Sequence, residues 1–286
     1  GNGTATINLA NVSVNSSLRA GTINIASGLT GSQLTVNQGT VNWNAAGTTI
    51  SGGTLSLAAG TTLNISGTGN AHFLSGVTLN NAGTVDLSNS DCCQGLVLNN
   101  GTVVNNTGTF NITNDTDVLN RNGAATFNNS GTVAKTGGSG TSGFYNNGGA
   151  GLTVNNTGGS TLSTSTGTLE LASGSNQSGS VAIAGAGTVN FSGGTHTFAS
   201  GTSLTGTVNL TGGTHSVSGT TFNNTVTYSG GALNLSGTNT VGTGGIFSWQ
   251  STGTTITGGT LSVSSGGTLD ITGTGDAHFL SGVSHN

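Results

Sequence analysis

The chain has 286 residues, with seven acidic and three basic side chains, a formal charge of −4, 54 glycines and neither proline nor methionine. Three scattered cations (Arg19, Arg121 and Lys135) cannot neutralise a phosphate backbone, which argues against a nucleic-acid partner, and no apolar run approaches the roughly 18 residues of a membrane-spanning helix. Disorder is also disfavoured: it combines low hydrophobicity with high charge, whereas only 3% of these residues are charged and the apolar ones recur regularly.

The chain starts at Gly1 with no initiator Met or signal peptide, so it reads as an internal or processed segment. From there apolar residues alternate at i and i+2. They predict short strands at Leu55 and Leu57, Leu63 and Ile65, Val77 and Leu79, Val85 and Leu87, Leu96 and Leu98, then Phe110 and Ile112. The series continues through Leu152 and Val154, Leu169 and Leu171, Val189 and Phe191, Val208 and Leu210, Leu233 and Leu235, to Leu269 and Ile271. Strand starts recur about every seven or eight residues, separated by Gly, Asn, Ser and Thr. Three such strands make a coil of about 23 residues, the length of a solenoid turn.

Two sets of near-identical turns support that length. Asn-Asn-x-Gly-Thr begins at Asn80, Asn105 and Asn128, with a related Asn-Asn-Thr-Gly at Asn155. GTVNFSGGTH from Gly187 returns as GTVNLTGGTH from Gly206. A larger period lies over these: residues 46–77 recur at 252–283, and from Ile50 to Val77 against Ile256 to Val283, 20 of 28 positions are identical at an offset of 206. An array that needs only more of itself repeats in this way.

The expected fold is all-β: a single-stranded parallel β-helix (β-solenoid), continuous over 1–286, with about 12 turns of roughly 19–27 residues and three short strands per turn. Parallel crossovers favour the right hand. Glycine supplies positive φ at corners, Asn tolerates the left-handed region and stacks its amide along the axis, and the absence of proline suits strands paired on both sides.

Strings such as SGGTLSLAAGTTLNISGTG, LNNAGTVDL, FNNSGTV and GTVNFSGGTHTF resemble the repeats of large bacterial surface proteins of the haemagglutinin-like or autotransporter-adhesin type. The resemblance covers nearly the whole chain. It implies a secreted parallel β-helix acting as an adhesin, stalk or extracellular fibre, and carries no catalytic residues.

Cys92 and Cys93 are adjacent in SNSDCCQG, the one conspicuous insertion between strands. Neighbouring Cα atoms about 3.8 Å apart strain a vicinal bridge, so the sharper expectation is a disulfide to another chain. His72 and His278 are repeat equivalents, as are His196 and His215, and no carboxylate or thiol accompanies them, so a structural role is expected and neither metal nor cofactor is implied. Asp115 and Asp117 are the only close acidic pair and read as solvated turn residues; Asp86, Asp91, Glu170, Asp270 and Asp276 are scattered, unlike the clustered carboxylates of a polysaccharide-active enzyme. Thr-x-Thr pairs such as Thr195 and Thr197, or Thr225 and Thr227, raise an ice-binding reading, but their spacing along the chain is irregular. Asn64, Asn105, Asn111, Asn128, Asn155, Asn209 and Asn223 are N-x-S/T acceptors and would permit glycosylation.

The expected role is therefore mechanical and non-enzymatic: an extracellular or cell-surface fibre, stalk or filament segment whose partner is itself, through head-to-tail stacking or continuing polypeptide, with lateral bundling favoured by low charge. The alternative is an adhesin stalk binding surface glycans. With three Lys and Arg residues in 286, the assembled protein should survive prolonged trypsin digestion and heating; rapid loss of the intact band on a gel would overturn this.

Overall fold

The computed structural model describes residues 6–9, 15–89, 95–148, 150–179, 181–273 and 275–286. Every regular element among them is a β-strand, and the strands stack in parallel as a β-solenoid of about 12 turns. The chain divides into two compact units, Gly1–Thr153 and Val154–Asn286.

In the first unit the alternation of the sequence becomes an inside and an outside. The strand Thr62–Ile65 buries Leu63 and Ile65 and turns Thr62 and Asn64 outward. Thr40, Thr62, Thr84, Thr109 and Thr132 lie in one register, so each turn places its apolar pair over the last: Val41 and Trp43, Leu63 and Ile65, Val85 and Leu87, Phe110 and Ile112. A second column runs from Leu34 and Val36 through Leu55 and Leu57 to Leu79 and Asn81, and a third from Leu74 to Leu98. Phe110, Phe127 and Phe144, which come from three different columns and pair in register with Val133, Val104 and Val118, meet edge-to-face in the interior at 5.2 and 5.0 Å, a geometry that ring quadrupoles prefer.

The second unit is built in the same way. One column joins Thr168–Leu171, Thr188–Phe191, Thr207–Leu210, Thr225–Tyr228, Ile246–Trp249 and Thr268–Ile271. A second joins Ser175–Gln177, Thr195–Phe198, Thr214–Ser218, Ala232–Ser236, Thr255–Thr257 and Phe279–Ser281. Two differences from the expected pattern stand out. Some turns are tighter than the expected range, as where Val208 pairs with Val226, 18 residues on. Some strands are also longer than three residues, Leu29–Trp43 reaching 15, because adjoining strands there run on without a break.

The Asn-Asn turns show how a buried ladder is made. Asn80, Asn105 and Asn128 face outward and stack in register, while Asn81, Asn106 and Asn129 face inward and are buried. The Asn81 amide donates to Asn106 Oδ1 at 2.7 Å and to the Thr109 carbonyl at 2.9 Å; Asn106 repeats both bonds one turn on, to Asn129 Oδ1 and the Thr132 carbonyl. The glycine two residues later is required by close approach: a Cβ on Gly108 would sit 2.1 Å from the Gly83 carbonyl oxygen. Replacing Asn106 with alanine strands a buried N–H of Asn81, and we expect a loss of ~1–3 kcal/mol in denaturant unfolding. Asn105→Ala, one position earlier on the outer face, should cost a fraction of that; equal losses would show that the inner ladder is not special.

Candidate functional site

The outward face of the first unit carries the pattern Thr-x-Asn in register. Thr22, Thr40, Thr62, Thr84 and Thr109 form one row, and Asn24, Asn42, Asn64, Asp86 and Asn111 the next. The amides bond along the axis: Asn42 donates to Asn24 at 3.1 Å, Asn64 to Asn42 at 2.9 Å and Asn111 to Asp86 at 2.8 Å. Parallel strands lie about 4.8 Å apart, so this face is a lattice of hydroxyls and amides with little charge. A search for Thr-x-Thr misses it. The signal is Thr-x-(Asn or Asp) followed by an apolar residue, and unequal loops hide its regularity along the chain.

Most of the candidate glycosylation sites lie on such outward rows. Asn64, Asn105, Asn111 and Asn128 each donate their amide to the preceding turn, and Asn155 accepts from Asn176. Asn209 stacks on Asn190. Asn223 is exposed between strands and donates to Ser203 Oγ at 2.7 Å. Cys92 and Cys93 lie outside the described residues, as does Asp91.

The acidic pair is drawn into separate contacts. Lys135 occupies an inward position above Leu87 and Ile112, fully buried, and its Nζ donates to Asp115 Oδ1 at 2.6 Å and to the Gly137 carbonyl at 2.7 Å. The Lys135 ammonium holds the Asp115 carboxyl below the usual carboxylate range. Asp117 instead accepts the Gly143 N–H at 2.9 Å. Glu170 accepts the amide of Asn190, and Asp270 the hydroxyl of Ser248.

His72, His196 and His215 are buried, while His285 is exposed. His72 meets Trp43 edge-on at 4.7 Å, and its repeat equivalent His278 meets Trp249 at the same distance. Trp43 and Trp249 each donate Nε1–H to the hydroxyl five residues on, Thr48 and Thr254, so the 206-residue period repeats in side-chain contacts. His196 and His215 stack at 5.3 Å on adjacent turns. A buried chain leads to them: Asn156 donates to Gln177, Gln177 to Ser175 Oγ, and Ser175 meets His196 Nδ1 at 2.8 Å. The rings of His72 and His215 have only loose backbone contacts, to Trp43 and Gly212, and no side-chain hydrogen-bond partner. No group of three or more metal-ligating side chains occurs among the described residues, and no helix is long and apolar enough to cross a membrane.

Thr268–Ile271 pairs with Ile246–Trp249, and Phe279–Ser281 with Thr255–Thr257; neither has a second strand partner among the described residues. Ile271 is 50% and Leu280 53% exposed, whereas their repeat equivalents Ile65 and Leu74 are 0% and 1% exposed. The equivalents are covered by the strands Thr84–Leu87 and Leu96–Asn99.

Burial pushes His72, His196 and His215 down to about 4 from 6.5, His215 also through its neighbour His196. Between those values the unfolded chain binds protons that the folded chain does not, so stability falls as pH drops from about 6.5 to about 4, by ~1.4 kcal/mol per pH unit per histidine. Denaturant midpoints measured across that range should show the slope, and His196→Leu with His215→Leu should remove the second unit's share; an unchanged slope would overturn the assignment. No family model, curated protein or solved structure matches the chain.

Proposed function

We propose that this chain is a segment of an extracellular structural protein, a fibre, stalk or filament built from β-solenoid turns that extends by axial stacking. The observation that supports this reading is the stacking of near-identical layers in register, Thr62 on Thr40, Thr84 on Thr62 and Thr109 on Thr84, a pattern that is extended by more of the same. The composition supports the same role, since few trypsin sites and dense pairing suit a durable material. A bacterial cell surface is what the resemblance of its repeats to haemagglutinin-like ones implies for such a segment. The role needs no chemistry, and none of the carboxylates described above forms a catalytic pair in this reading.

A second reading, an adhesin stalk that binds surface glycans, is favoured by the Thr-x-Asn face, because hydroxyls and amides at a regular spacing suit the hydroxyls of a repeating saccharide. Negative-stain microscopy of the purified polypeptide separates the two. Thin filaments with a regular longitudinal repeat are expected; discrete rods of one length that bind immobilised glycans would overturn the structural reading in favour of the adhesin.

A further inference from the structure

The outer face of the first unit carries a row of side chains that the fold itself does not use. Thr22, Thr40, Thr62, Thr84, Thr109 and Thr132 stand one above another in consecutive layers, each half-buried. Among the described residues none of these hydroxyls bonds to another group of the chain. Threonines that serve the fold differ: Thr61 donates to the Ala58 carbonyl and Thr102 to the Asn99 carbonyl, both at 2.7 Å. The row beside the threonines, Asn24, Asn42, Asn64, Asp86 and Asn111, is held straight by amides bonded along the axis, as from Asn64 to Asn42 at 2.9 Å.

The other outer columns of this unit are broken. In one, Thr54, Thr78 and Thr126 share their row with Val103; in another, Phe73, Val97, Leu119 and Tyr145 make the row largely apolar. The unbroken face repeats about every 4.8 Å along the axis, and its two rows lie about 6.6 Å apart, two residues along a strand. Its one charge is Asp86, and neither row carries an aromatic ring or a cation, the groups that grip an isolated sugar or a phosphate. What the face offers is repetition. A single hydroxyl that exchanges water for a ligand group gains little. A rigid row of them gains from a ligand that repeats at the same interval, because the fold has already ordered the side chains. Ice is such a ligand: its surface planes present oxygen atoms in straight rows of comparable spacing. Threonine meets them with a hydroxyl that both donates and accepts, beside a methyl that competes for neither bond.

We propose that this lattice of Thr hydroxyls and Asn amides binds ice, each row aligning a file of water molecules that merges with the crystal surface. The function is independent of the fibre reading, since stacking uses the interior columns and the strand ladders and leaves this outer face free. It also separates a regular water lattice from a saccharide as the ligand of the face.

The test is the freezing behaviour of the purified polypeptide, followed as the gap between the melting and freezing temperatures of a single ice crystal and as protein enriched in slowly grown ice. A measurable gap, faceted crystals and enrichment are expected. Thr62→Tyr with Thr84→Tyr, which sets two rings in the middle of the row, should lose most of the gap. Thr54→Tyr with Thr78→Tyr makes the same change at two half-buried, in-register positions of the neighbouring column and should keep it. Denaturant midpoints show whether each variant is folded; if the first is not, Thr62→Val with Thr84→Val removes the hydroxyls alone, and a partial loss is expected. A polypeptide with neither gap nor enrichment would overturn the proposal, as would equal losses in the two tyrosine variants. Retention on an immobilised polysaccharide that Thr62→Tyr with Thr84→Tyr abolishes, without enrichment in ice, would overturn it in favour of the glycan.

Discussion

Parallel stacking in register is the constraint on which the rest of this molecule depends. Once Thr62 sits on Thr40 and Thr84 on Thr62, every inward residue must tolerate its counterpart one strand spacing away, and every outward residue must do the same. A coil with two short inward side chains per strand cannot build a thick core, so burial comes from vertical continuity. Val41, Leu63, Val85 and Phe110 form one uninterrupted apolar stack, and Trp43, Ile65, Leu87 and Ile112 the next. Each fully buried side chain of this kind contributes about 1.5–3 kcal/mol, which explains how a chain that is 31% hydrophobic holds together.

The same constraint explains why polar groups are admitted to the interior. A single buried asparagine would leave donors and acceptors stranded, but a stacked column passes each amide to the next, and the carbonyls of Thr109 and Thr132 take the remaining N–H groups. Lys135 replaces an apolar residue at the top of the stack Leu87, Ile112, and is accepted because Asp115 and the Gly137 carbonyl meet its ammonium. The histidines are the incomplete case. His196 has Ser175, whereas His72 and His215 have ring contacts and only loose backbone contacts to Trp43 and Gly212, and burial keeps them neutral. That arrangement makes the interior acid-sensitive at a few defined layers.

The physics that holds each turn on the last also makes an edge incomplete. Parallel strands offer one row of hydrogen-bonding groups on each side, and apolar residues such as Ile65 and Leu74 are buried because another turn lies over them. The contacts that stabilise a turn are thus the ones that join it to its neighbours.

Much of this was legible in the residues. The i, i+2 alternation, the glycine-rich corners, the missing proline and the 206-residue period specify an all-β solenoid, because each is a local property of the chain. The spacing of Asn80, Asn105 and Asn128 even marks three layers that stack in register. What only the tertiary structure decided is which side chains face each other across turns. It sends Asn105 outward and Asn106 inward, sets Thr-x-Asn as a continuous lattice where Thr-x-Thr looked irregular, and brings Lys135 back to Asp115, 20 residues earlier. Register across turns depends on loops of unequal length, which carry no period of their own, so the sequence alone determined the repeating element and only the folded stack determined what that element touches.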